Sequence, residues 1–167
     1  MLLFISDANV LIDIEIGALV APMFSLEYLF AVPDVLFYEE LEKQHAYLLD
    51  MGLEPRELDE VMVSSVVRMA AQYPRPGRND LFALVLAAHE QCPLLTGDKD
   101  LKAAAENENV EVRGTLWLVS EMVRTGKITV SVARGAFQLM RTHGRRLPWD
   151  LAEQVLIALE PAQPPDE

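Results

Sequence analysis

Apolar runs and amphipathic stretches alternate along the first two thirds of the chain. Leu2-Leu3-Phe4-Ile5 is a short continuous apolar run, the pattern of a strand buried on both faces. Residues 9–19 read as the helix after it, and Pro22 opens a second short helical stretch to about residue 29. "FAVPDVLF" carries a short strand ended by Pro33, whose missing N–H and fixed φ interrupt a ladder. The Glu-, Leu-, Lys- and Gln-rich segment 35–49 predicts a helix, and "MGLEPREL" is turn or edge-strand material. Asp59 is placed to cap a helix running to residue 71. "YPRPGRND" is a loop with Asn79 as the expected N-cap, and "DLFALVLAAHEQ", apolar nearly all round, predicts a central buried helix. "CPLLTGDKD" reads as strand, glycine turn and the start of a helix to about residue 107, and "VEVRGT" as the last short strand. Helices follow over 115–125, 130–142 and 148–159, and the Pro-rich tail 161–167 reads as flexible.

Strands that alternate with helices argue for an α/β protein with a parallel sheet covered on both faces. The expected division is an α/β domain over residues 1–125, a helical extension over 126–160 packed on the same domain, and the tail. At 167 residues, 51 % hydrophobic and 24 % charged, the chain has an ordinary globular composition. No apolar stretch approaches the roughly 18 residues of a membrane span, and no signal pattern opens the chain, so a cytoplasmic protein without a membrane partner is expected. A single cysteine, Cys92, excludes an internal disulfide, and no Cys/His cluster suggests zinc. The net charge of −12 argues against a generic nucleic-acid binder. Metal ions held by carboxylates invert a local field, and basic patches coexist with an acidic whole.

The candidate chemistry lies in the carboxylates. Asp7 ends the first strand, Glu40 lies in the helix after the second, Asp80 is in the first turn of the buried helix, and Asp98 and Asp100 follow "PLLT". Taken singly, such acids are partners for helix dipoles. Taken together, three of the four positions are strand-to-helix junctions or helix starts, which right-handed crossovers gather on one edge of the sheet. Acids that converge there repel one another unless a cation is present. Oxygen-rich sites suit Mg²⁺ or Mn²⁺, and two such ions can clamp a phosphodiester displacement. Glu40 is preferred to Glu39 because it directly precedes Leu41, although the 100° between neighbours on a helix makes the choice matter.

"ISDANVLID", "VPDVLFYEEL", "NDLFALVLAAHE" and "LLTGDKDL", in this order, resemble the PIN-domain family over about residues 1–115. "VEVRGTLWLVSEMVRTGKI" is similar to the later part of prokaryotic PIN proteins, VapC-type toxins among them. The resemblance implies an α/β/α sandwich with a central parallel sheet and a metal-dependent endoribonuclease that hydrolyses RNA with a metal-activated water. It makes Asp7, Glu40, Asp80 and Asp98 the acidic quartet, with Asp7, Asp80 and Asp98 holding Mg²⁺ or Mn²⁺. Asp100 fits an additional acid, Asn9 the polar residue that steadies the first Asp, and Thr96 the hydroxyl before the fourth. It further implies a homodimer and, for a toxin, a protein antitoxin. Arg75, Arg78, Lys99 and Lys102 lie nearest the acids in sequence and are the candidate RNA contacts. The linker between Glu40 and Asp80, with Pro55, Pro74 and Pro76, matches no particular subfamily, and the three C-terminal helices run beyond the minimal domain and suggest a subgroup other than the compact toxins.

The remaining residues carry plainer readings. Arg141, Arg145 and Arg146 form a basic cluster suited to a helix C-terminus. His45, His89 and His143 have no partner at ligand spacing, and Cys92 reads as a small buried hydrophobe. Trp117 and Trp149 are packing residues or part of a contact between chains. Met62, Val66, Met69 and Ala70 form a helical stripe suited to a core or a dimer face. Two other functions stay open. A haloacid-dehalogenase-like phosphatase needs Asp-x-Asp where this chain has Asn9, and a PIN-like binding module would retain the acids without turnover.

Overall fold

Residues 1–161 are described here from a computed structural model of the chain. The order is β1 (Leu2–Ser6), α1 (Ala8–Ile16), α2 (Val20–Phe24), β2 (Tyr28–Pro33), α3 (Asp34–Leu36), a π-helical turn (Phe37–Leu41), α4 (Glu42–His45) and α5 (Leu48–Met51). Then come β3 (Glu54–Arg56), α6 (Glu60–Gln72), α7 (Arg78–Glu90), β4 (Leu94–Leu95), α8 (Lys99–Asn107) and β5 (Val112–Arg113). Three helices, α9 (Thr115–Arg124), α10 (Val130–Thr142) and α11 (Trp149–Leu159), close the described chain. The tail expected from residue 161 lies, from 162 onward, outside the described residues.

The five strands form one parallel sheet in the order β3-β2-β1-β4-β5, which puts β1 at its centre. The pleat sends alternate residues to opposite faces. Phe4, Phe30 and Leu95 join a core with Leu11 and Ile14 of α1, Leu118 and Met122 of α9, Met140 of α10 and Leu156 of α11. Ile5, Ala31 and Leu94 join the other core with Met62 of α6, Leu84 of α7 and Leu101 of α8. Both faces of the sheet are thus covered by helices, an α/β/α sandwich. Among the described residues no helix is long and apolar enough to cross a membrane.

Asp side chains start the helices that matter most for the site. Asp7 accepts the Val10 N–H at the head of α1, Asp59 that of Met62 in α6, and Asp98 that of Leu101 in α8. Three details differ from the sequence expectations. The second short helix stops at Phe24, because pairing of Tyr28 and Leu29 with Leu2 and Leu3 draws that segment into β2. The expected helix over 35–49 is broken by the π-helical turn and by a turn before α5. The N-cap of α7 is Gly77 rather than Asn79; the Asp80 carboxylate accepts the Gly77 N–H at 3.0 Å. Asn79 is thereby freed for contacts elsewhere. In the stripe on α6, Met62, Val66 and Met69 go to the core while Ala70 is exposed.

Candidate functional site at the carboxyl edge of the sheet

Asp7 leaves the end of the central strand and is 1 % exposed. Its Oδ1 accepts the Val10 N–H at 2.9 Å, and its Oδ2 accepts the Thr96 hydroxyl at 2.6 Å. Thr96 Oγ1 in turn accepts the Asp98 N–H at 3.1 Å. The ends of β1 and β4 are therefore laced together through one hydroxyl, and the steadying of Asp7 expected of Asn9 falls to Thr96 and the Val10 amide. Burial pushes the Asp7 carboxyl up to about 6 against the pull of those two hydrogen bonds, and repulsion from Asp80 and Asp13 adds to the rise.

Asp80 sits in the first turn of α7. Burial raises its carboxyl above the ordinary range, the Gly77 N–H opposes this, and the charges of Asp98 and Glu40 add to it. Asp7 feels Asp80, and Asp80 feels Asp98 and Glu40, so acids from four separate elements share one field. Asp98 and Glu40 are exposed. Asp100, also exposed, stands 3.8 Å from Arg75.

The π-helical turn decides how Glu39 and Glu40 lie. Consecutive residues of a regular helix diverge by about 100°, whereas the wider π turn lets both carboxylates reach α7. Asn79 Nδ2 donates to Glu39 Oε2 at 2.9 Å and to Glu40 Oε2 at 3.1 Å. Glu39 also takes Arg78 Nη2 at 2.5 Å, and the Asn79 and Arg78 bonds together hold its carboxyl below the usual carboxylate range. Arg78 neutralises Glu39, while Glu40 is the glutamate whose charge reaches Asp80. Carboxylates only accept, so the nitrogen of Asn79 must face them. Its Oδ1 is then turned inward, buried and without a hydrogen-bond partner, the one such side-chain atom among the described residues.

These donors suit a hard divalent cation in kind: carboxylate oxygens that disfavour each other's ionisation, beside an orphaned amide oxygen. Among the described residues no three Asp, Glu, His or Cys side chains already stand close enough to enclose an ion. The pockets of about 270, 280 and 240 Å³ are lined by other residues, so the acid edge lies outside them.

A second polar cluster borders this edge. Asn9 is exposed, and its Oδ1 and carbonyl accept from Arg145 Nη2 at 3.1 and 3.3 Å. Arg145 Nε donates to Asp13 Oδ1 at 2.6 Å, and the Thr115 hydroxyl donates to Asp13 Oδ2 at 2.8 Å. Asp13 is buried on α1, so three distant segments meet on it. Asn79 and Arg145 were expected only as a helix cap and as part of a basic helix end, and Asp13 and Thr115 carried no expectation. A polar residue inside the apolar run "VLIDI" was a usable signal for Asp13, whereas Arg145 had none.

The basic candidates divide. Arg75 and Arg78 are ion-paired with Asp100 and Glu39, while Lys99 and Lys102, exposed on α8, make no ion pair among the described residues. His45 pairs with Glu15 at 2.6 Å away from the acids, and burial pushes the Cys92 thiol up to about 11, out of reactive range. Trp117 packs against Phe4 and Tyr28.

Over residues 3–161 the chain matches the model of a family described as DUF3368: PIN domain. Among solved structures it is similar to a PilT N-terminus domain protein from the hyperthermophilic archaeon Sulfolobus solfataricus P2. That likeness has 14 % identity and a TM-score of 0.48, and covers 74 % of this chain and 94 % of the other. None of the curated proteins matches the chain.

Proposed function

Given that the chain belongs to the PIN-domain family, we propose that it is a metal-dependent endoribonuclease acting at the carboxyl edge of its sheet. One observation carries the reading: four separate elements supply Asp7, Glu40, Asp80 and Asp98, and the charge of Asp80 bears on Asp7 while those of Asp98 and Glu40 bear on Asp80. Asp7, Asp80 and Asp98 would hold Mg²⁺ or Mn²⁺, with Glu40 and Asp100 orienting water or helping to recruit a second ion. When bound, the metal supplies an activated water and neutralises charge developing at phosphorus. Thr96 holds Asp7 in place, and its acceptance of the Asp98 N–H keeps the two acids in register. Asn79 holds Glu40 toward Asp80, and Arg78 removes Glu39 from the competition.

The test is cleavage of a mixed panel of single-stranded and structured RNAs in Mg²⁺, Mn²⁺ or EDTA. We expect cutting by the natural protein that EDTA abolishes and Asp98→Asn lowers by at least about a hundredfold, the range seen when an electrostatic contribution to catalysis is removed. Metal binding without cutting of any substrate would replace this reading by a silent binding module, and absence of both would remove the carboxylate site. The toxin role and the homodimer rest on the family resemblance. The exposed stripe Val63, Val67 and Ala70 on α6 supports the second. Growth arrest on expression and light scattering test the two in turn.

A further inference from the structure

The segment 141–146, "RTHGRR", is the richest local source of positive charge in a chain of net charge −12. Its conformation is defined. Helix α10 ends at Thr142, Gly144 takes φ +79, and the Arg145 N–H returns to the Met140 carbonyl at 2.9 Å. That is a left-handed helix stop of the kind glycine permits, and it sets the direction in which Arg145 leaves. Arg145 then spends its guanidinium on Asp13 and Asn9. Its work is to moor the loop beside α1, whose cap is Asp7. Arg141 is exposed, its guanidinium 5.9 Å over the Trp149 ring. Arg146 is exposed and makes no ion pair among the described residues.

We propose that the loop 141–146, tied to Asn9 by Arg145, is the surface on which the RNA backbone docks as it approaches the acid edge, with Arg141 and Arg146 as its phosphate contacts. The inference rests on the RNA reading of that edge. Arg75 and Arg78 are occupied by Asp100 and Glu39, so they offer phosphate less than their place in the sequence implies. A strongly acidic chain repels phosphate over most of its surface, so a moored basic loop beside the acids offers a place where a backbone can settle. Lys99 and Lys102 of α8, unpaired among the described residues, offer a second contact at the same edge. Trp149, partly exposed under Arg141, adds an aromatic face next to the proposed track.

The test is binding of a fluorescein-labelled single-stranded RNA and a labelled hairpin RNA to the full chain, by anisotropy in EDTA over a range of salt. Arg141→Gln and Arg146→Gln are each expected to weaken binding about three- to tenfold and to reduce the slope of log affinity against log salt by about 0.7 for the single strand. Arg134→Gln, which removes a cation of α10 already paired with Glu153 and Glu160 at α11, should change neither. Melting temperatures confirm that Arg141→Gln remains folded, and Arg146→Gln carries the test alone if it does not. Natural affinity and slope in the loop variants would overturn the docking surface and leave the nuclease reading intact. Loss of binding in the variants, with no metal-dependent cutting by the natural protein, would uphold the surface and sink the nuclease. A natural protein that binds neither RNA would overturn the surface.

Discussion

At the scale of the residue, Asp7 shows how a site acid can be held against its own preference. Its carboxyl is raised from 3.8 to about 6, chiefly by burial. A folded-state value above the unfolded one means that the folded chain holds this proton more tightly. The resulting penalty is absent below pH 4, grows between pH 4 and 6, and is complete above that. Metal-free stability should therefore fall through this window as pH rises, by about 3 kcal/mol in total from this group. Asp7→Asn keeps an oxygen for the Val10 N–H and carries no charge. In EDTA it is expected to melt higher than the natural protein at pH 7–8 and at nearly the same temperature at pH 4. Adding Mn²⁺ should raise the melting temperature of the natural protein and leave that of the variant unmoved. A difference between the two that stays constant with pH would show that burial of charge is not its cause. Asp7 was legible in the sequence because an acid just past an apolar run falls at the carboxyl edge of a parallel sheet, and other acids follow later strands in the same way. Asn79 was not, since its role depends on a helix starting two residues earlier than its own capping propensity suggests.

At the scale of the element, strands and long helices followed from apolar periodicity, and every expected strand is present. What escaped was local backbone irregularity. The π-helical turn at Phe37–Leu41 leaves no mark in hydrophobic spacing, yet it brings both Glu39 and Glu40 to Asn79. The close approach of α1 to α10 escaped for a related reason, since it rests on a missing side chain. A Cβ on Gly17 would lie 2.7 Å from Met140 Cε and 3.2 Å from Ala136 Cβ. With φ at −74 the backbone itself tolerates any residue there, so the constraint is one of packing. Gly17→Val should destabilise the protein by about 1–3 kcal/mol through overpacking, measured by urea unfolding. Met140→Ala alone removes a fully buried side chain, so the double variant should lose less than the sum of the two single losses, because the closest obstacle is the end of that flexible side chain. Losses that simply add would place the strain against Ala136 and the α10 backbone instead.

At the scale of the whole molecule, the C-terminal helices belong to the architecture of the site. Phe137, Met140 and Leu156 share one core with Phe4 and Leu11, and Arg145 crosses 132 residues of sequence to reach Asp13. No sequence pattern announces a tie of that span, and helix dipoles offered a sufficient account of the arginine cluster until the contact was visible. Asp13 is 7 % exposed and would be left as a buried carboxylate facing only the Thr115 hydroxyl if Arg145 were removed. Breaking a buried pair from one side is strongly destabilising, so Arg145→Met should lower stability by about 3 kcal/mol, at the low end for such pairs because the guanidinium retains some exposure. Replacing both partners removes the uncompensated charge. Asp13→Leu combined with Arg145→Met should therefore be more stable than Arg145→Met alone, by urea unfolding at pH 7. A double variant no more stable than the single one would locate the loss in the undocked loop rather than in the stranded carboxylate. In that case Arg145 would matter chiefly as the mooring of segment 141–146.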